Sequence, residues 1–159
     1  MSGGSITGNT SNSNGGGVLV RVGATFNMNG GSIGGAGTGN TAVNGGGVYV
    51  RSDATAFNVS GTPKISGNTN KATTPKPNNV YLVDGRIITL VDKTGSAGTS
   101  LETGAEIRII YPLDTTKSFA TGSDSHTVTA ADAKFFFPDR ASYKISRIPK
   151  KSKPILSDF

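Results

Sequence analysis

Few side chains in this 159-residue chain have the types or spacing that chemistry demands. Before residue 84 there is one acidic residue, Asp53, and Asp84 and Asp92 follow it. Glycoside hydrolysis needs two carboxylates across a cleft, about 5 to 9.5 Å apart. Ser52 aligns with Asp84 in the repeat described below, so Asp53 and Asp84 can approach on adjacent coils, with the matched pair Arg21 and Arg51 beside them as a site for an anionic sugar. The plainer reading of the same residues, and the one adopted, is a solvated face with a weak surface ion pair. A lyase also needs a base and metal-binding carboxylates, which this pattern does not supply. No catalytic, cofactor-binding or metal-ligating residue is therefore assigned. Arg21, Tyr49, Arg51, Asp53, Tyr81 and Asp84 remain as a candidate ligand-contact surface.

Other chemistries fall on composition. With no cysteine and one histidine, the chain has no disulfide framework, no Cys-based zinc or redox site and no His cluster. His126, among Ser and Thr, reads as a surface residue. The stretch Gly35-Ala36-Gly37-Thr38-Gly39 has the composition of a dinucleotide loop but no strand-to-helix transition, and calcium-binding nonapeptides would need regularly spaced Asp after the glycines. The net charge of +6 is mostly terminal, since residues 140–159 hold six basic side chains against Asp158. A basic tail without interleaved aromatics is a solvated terminus, so no nucleic-acid partner is expected. Apolar runs are too short to span a membrane, and the N-terminus lacks the regions of a signal peptide.

The elements that must position these residues come from an internal repeat of about 31 residues. Met1-Ser2-Gly3-Gly4-Ser5-Ile6 recurs as Met28-Asn29-Gly30-Gly31-Ser32-Ile33, and Gly8-Asn9-Thr10 recurs as Gly39-Asn40-Thr41 and Gly67-Asn68-Thr69. Asn14-Gly15-Gly16-Gly17-Val18-Leu19-Val20-Arg21 recurs as Asn44-Gly45-Gly46-Gly47-Val48-Tyr49-Val50-Arg51, then as Asn78-Asn79-Val80-Tyr81-Leu82. Each unit holds three short runs of alternating apolar and polar residues, the signature of strands with one buried face. Such a unit cannot bury that face alone, whereas stacking aligns Val18, Val48 and Val80, and Val20, Val50 and Leu82. The pattern predicts a parallel β-solenoid with three strands per coil. Asn9, Asn40 and Asn68 fall at equivalent corners, where their amides form a ladder between coils. A flat Thr/Asn array of the ice-binding type is the alternative use of these columns.

The segments GGGVYVRSDATAFNVSG (45–61), MNGGSI (28–33) and GNTAVNGGG (39–47) resemble the glycine-rich repeats of large bacterial cell-surface, autotransporter-like and adhesin-like proteins. The resemblance covers about residues 1–110 and implies an all-β, right-handed parallel β-helix of the pectate-lyase type, here with three to four coils and a C-terminal β-rich cap. It further implies an extracellular or cell-surface setting. Met1 shares the inward position of Met28, so the chain reads as a C-terminal piece of a longer array, with end-to-end or edge association through its uncapped first coil.

Residues 1–111 are thus expected to form the repeats, the last of them a degenerate fourth coil whose strand Ile107–Tyr111 ends at Pro112. Residues 112–148 are expected to cap the stack, with Thr129-Ala130-Ala131-Asp132 opening a stretch that is either one capped helical turn or a strand, and Tyr143–Ile148 a strand. Residues 149–159 read as a flexible basic tail. The functional expectation is a non-enzymatic structural or adhesin-like module that contacts a host or cell-wall glycan or protein, with a carbohydrate-binding or polysaccharide-degrading β-helix as the alternative.

Overall fold

The computed structural model describes residues 1–83, 85–92, 100–110, 119–123 and 126–140, and the backbone of 143–145 and 156–158. It is a parallel β-solenoid of about four turns. The first coil holds β1 (Ser5–Ile6), β2 (Val18–Val20) and β3 (Thr25–Met28). The second holds β4 (Ser32–Gly34), β5 (Thr41–Ala42), β6 (Val48–Val50) and β7 (Ala56–Val59), and the third β8 (Lys64–Ser66), β9 (Thr69–Asn70), β10 (Val80–Leu82) and β11 (Ile88–Leu90). Then come β12 (Glu106–Ile110), β13 (Ala120–Gly122), helix α1 (Ala130–Ala133) and β14 (Phe136–Pro138). The stretch after Thr129 is thus a helical turn first and a strand second. Last, β15 (Tyr143–Ile145) pairs antiparallel with β16 (Leu156–Asp158), so part of the segment expected to be a flexible tail forms a strand.

Like stacks on like. Val18, Val48, Val80 and Ile109 form one parallel column. Phe26, Phe57, Ile88 and Ala120 form another, in which the two phenyl rings stack with centroids 5.4 Å apart. Ile6, Ile33, Ile65, Ile107 and Phe136 form a third. From the second coil onward these residues are almost wholly buried. Each fully buried side chain contributes about 1.5–3 kcal/mol, which a single coil could not secure.

The fourth coil departs from the repeat. In the earlier coils a corner separates the β1–β4–β8 face from the β2–β6–β10 face. The longer β12 merges them: Glu106 and Ile107 continue the Lys64 and Ile65 positions, while Ile109 and Ile110 continue Val80 and Tyr81. The corner occupied in the third coil by residues 67–79 therefore has no counterpart above β12.

At that corner runs the expected amide ladder. Backbone N–H and Nδ2 of Asn9 both donate to Oδ1 of Asn40, at 3.0 and 2.9 Å, and Asn40 donates in the same way to Asn68 at 2.9 Å. Two further rungs escape the repeat pattern. Asn68 donates twice to Oδ1 of Asn79 at 2.8 Å, and Asn79 donates to both oxygens of Asp139 at 2.7 and 2.6 Å. The backbone admits these amides through glycine. Gly67 adopts φ +72°, and a Cβ on Gly39 would lie 1.9 Å from the Gly67 carbonyl oxygen. A Cβ on Gly47 would lie 2.7 Å from Nδ2 of Asn68, whereas in the next coil the stacked position is Asn79, whose own side chain becomes the rung.

Two outcomes test the ladder. Asn68→Ala strands the donors of Asn40 and the carbonyl of Ile33, and at about 1–3 kcal/mol per buried unsatisfied group it should cost roughly 3 kcal/mol or more in urea denaturation. Asn9→Ala, at the solvated end, should cost under about 1 kcal/mol; equal costs would refute a ladder strengthened by burial. Burial raises the pKa of Asp139 above its ordinary 3.8, against the lowering effect of the Asn79 hydrogen bonds and Arg108. The sign follows: a carboxyl raised on folding contributes stability that is present at low pH and lost as pH rises through its folded pKa. Asp139→Asn keeps an acceptor for Asn79 without the charge, so its melting temperature should gain on the native chain as pH rises from 3.8 upward. A gap that does not change with pH would contradict this assignment.

Candidate functional site

The outward stripe on the β2–β6–β10 face carries most of the residues singled out above. Because Leu19, Tyr49 and Tyr81 are alternate to the buried valines, they stand one above another on the outside. The Tyr49 and Tyr81 rings stack with centroids 5.3 Å apart and planes 16° from parallel. Both tyrosines are half-buried, and their facing ring surfaces cover each other. The two facing ring surfaces are therefore closed to any ligand.

Arg51 and Asp53 form an ion pair, Nη2 to Oδ2 at 2.9 Å, at the surface, with 44% and 36% of their side chains exposed. Such pairs contribute at most about 1 kcal/mol. Arg21 occupies the matching exposed position one coil earlier. Asp84, and with it the expected approach to Asp53, lies outside the described residues. A groove of about 280 Å³ runs beside the stripe, lined by Ser13, Asn14, Leu19, Tyr49, Arg51, Ser52 and Val83. Five of the six candidate residues therefore lie on or near one face, and Tyr49 and Arg51 line its groove. Burial is the first cause that raises the Tyr49 pKa, Tyr81 adds to it and Arg51 opposes it.

On the third face the outward column is Asn27, Asn58, Thr89 and Thr121, with Nδ2 of Asn58 donating to Oδ1 of Asn27 at 2.8 Å. The neighbouring outward positions, Thr25 and Ala56, do not continue a threonine array.

A second group of polar residues sits where the cap meets the stack, and it corrects the reading of His126. That side chain is buried, with 5% of the residue exposed. Its Nδ1 lies 3.2 Å from Asp92, just beyond β11, and its Nε2 lies 3.3 Å from Asp132 in α1. Asp132 closes a capping box, accepting from the Thr129 N–H at 2.7 Å and hydroxyl at 2.9 Å, while Thr129 caps Ala131. The cluster lies at a cavity of about 520 Å³ whose lining includes Ser100, Glu102, Thr129, Lys134 and Phe135. Each ring nitrogen lies within hydrogen-bonding distance of a carboxylate, so the imidazole sits between the end of β11 and the helix. The capping box was legible from Thr129 and Asp132, but nothing in the pattern placed His126 beside them.

Arg86 was also passed over. It reaches across a corner to donate Nη1 to the Ala54 carbonyl at 2.7 Å, and its Nε is buried without a hydrogen-bond partner among the described residues. Among the described residues no group of three or more His, Cys, Asp or Glu is arranged to hold a metal ion.

Compared with protein-family models, with curated proteins and with solved structures, the chain has no match.

The stripe predicts a titration order. Tyr49 should ionise above the ordinary 10.0, read as the phenolate absorbance lost in Tyr49→Phe. Tyr81→Phe should bring that ionisation down and Arg51→Ala should push it further up. A Tyr49 that titrates at its ordinary value and ignores both substitutions would contradict the stacked arrangement.

Proposed function

We propose that this chain is a non-enzymatic structural or adhesin-like module of a bacterial surface or secreted protein. The observation that carries the reading is where the polar groups go. The asparagine amides are engaged rung to rung, Arg51 and Asp53 pair with each other at the surface, and His126 sits between two carboxylates. These side chains serve the stack, and what they produce is a rigid rod with patterned faces. The glycine-rich motifs that resemble repeats of autotransporter-like proteins point to the same class, including their pectate-lyase-like right-handed form and an extracellular setting.

One observation favours a second reading, carbohydrate binding. The groove at Tyr49 and Arg51 combines the apolar walls of Leu19 and Val83 with hydroxyl and amide groups from Ser13, Asn14 and Ser52. A glycan array together with a polysaccharide-cleavage assay separates the possibilities. The scaffold reading expects no turnover of any polymer. Cleavage that is lost in Asp53→Ala or Asp84→Ala would overturn it. Binding without cleavage that is weakened by Arg51→Ala would favour the groove as an adhesive contact.

A further inference from the structure

Between the β2–β6–β10 face and the β3–β7–β11 face each coil closes a short turn in which an N–H donates to the carbonyl three residues back. Ala24 donates to Arg21, Ala54 to Arg51 and Arg86 to Val83, at 3.0, 3.2 and 2.8 Å. The first two coils thus close the turn with alanine, and the third closes it with an arginine. The Arg86 side chain is half-buried. Its Nη1 donates to the Ala54 carbonyl at 2.7 Å, whereas the other edge of the guanidinium, Nε and Nη2, makes no hydrogen bond among the described residues, and Nε is buried.

A buried N–H without an acceptor opposes folding, and a half-buried charge without a counter-charge does so more strongly. The neighbouring carboxylate of the second coil does not relieve it, because Asp53 is paired with Arg51 at 2.9 Å. Arg86 lines a cavity of about 290 Å³ whose described lining holds no acidic side chain. Val50 and Phe57 back this cavity, each at most 1% exposed, and Ile87 adds a further apolar wall. Thr55 and Thr89 bring hydroxyl groups to the same lining. Its volume lies at the small end of ligand pockets, which start at about 300 Å³.

We infer that this corner is a binding site for a small organic acid, its carboxylate held along the Nε–Nη2 edge of Arg86 and its apolar body against Val50, Phe57 and Ile87. The two oxygens of a carboxylate match adjacent guanidinium donors and form two charge-assisted hydrogen bonds with them. The Nη1 bond to Ala54 already fixes the plane of the fork, so little side-chain freedom is lost on binding. Nε is covered in the free chain, and the guanidinium swings outward about its Ala54 bond as the acid enters. Apolar walls favour an acid that carries a ring or a branched chain over an inorganic anion. The site stands apart from the Tyr49 groove and asks no catalysis of the chain, so it goes beyond the scaffold reading without resting on it.

Benzoate, with benzamide as its uncharged counterpart, tests the site on the full chain by thermal unfolding at neutral pH. Benzoate should raise the melting temperature along a saturable curve with a Kd of about 1 mM. Benzamide should bind at least roughly tenfold more weakly, because it cannot form the charge-assisted pair. Arg86→Ala, which gives the turn the residue of the first two coils, should abolish the saturable shift. Arg86→Lys keeps the charge without the fork and should weaken binding at least roughly tenfold. Arg21→Ala, at an exposed arginine outside the cavity, should bind as the native chain does. A native chain that shows no saturable shift would overturn the site, as would sulfate raising the melting temperature as much as benzoate, or a shift that persists in both Arg86 variants. So would benzoate binding that emerges only in Asp84→Asn, which would give the guanidinium to a carboxylate of its own chain. None of these results bears on polysaccharide turnover, so failure here is distinguishable from failure of the scaffold reading.

Discussion

Every residue in a parallel stack sits one strand spacing, about 4.8 Å, from its counterpart in the next coil, and the structure depends on what tolerates that proximity. Valine on valine and phenylalanine on phenylalanine gain from it. Asparagine gains as well, because its amide is both donor and acceptor and can repeat indefinitely along a column. Like charges do not. Residues 1–62 contain only three charged side chains, Arg21, Arg51 and Asp53, and the second arginine is paired with the aspartate. The sparse chemistry of the array is therefore a consequence of its geometry.

The same constraint explains how the ladder ends. An amide column must stop on a group that accepts without needing to donate. Asp139, an acceptor with both oxygens engaged by Asn79, fits that requirement, and its burial is tolerated because those hydrogen bonds offset part of the desolvation. The corner disappears in the same place. Once β12 runs straight across two faces, there is no Gly-Asn-Thr turn to supply another rung, and Asn79 takes the place held by Gly47 one coil earlier.

Most of the stack was legible in the residues. Alternation marked the strands, recurrence gave the register of Val18 on Val48 on Val80, and Gly-Asn-Thr marked the corner with its first three rungs. The candidate stripe was legible in part. Spacing placed Tyr49 over Tyr81, but their ring stacking and half-burial depend on side-chain packing that spacing does not encode. The Asp92–His126–Asp132 cluster was not legible, because residues 34 and 6 positions apart meet only after the cap folds back on the stack.

By itself the sequence determined the period, the columns and therefore the solenoid, since a repeat that buries its apolar face only against its own copy has one way to fold. Only the tertiary structure decided how the ladder ends. Which coil merges its faces and which carboxylate receives the last amide depend on contacts between segments that do not repeat. No local pattern carries that information, because the repeat specifies what lies next to each coil and says nothing of where the stacking stops.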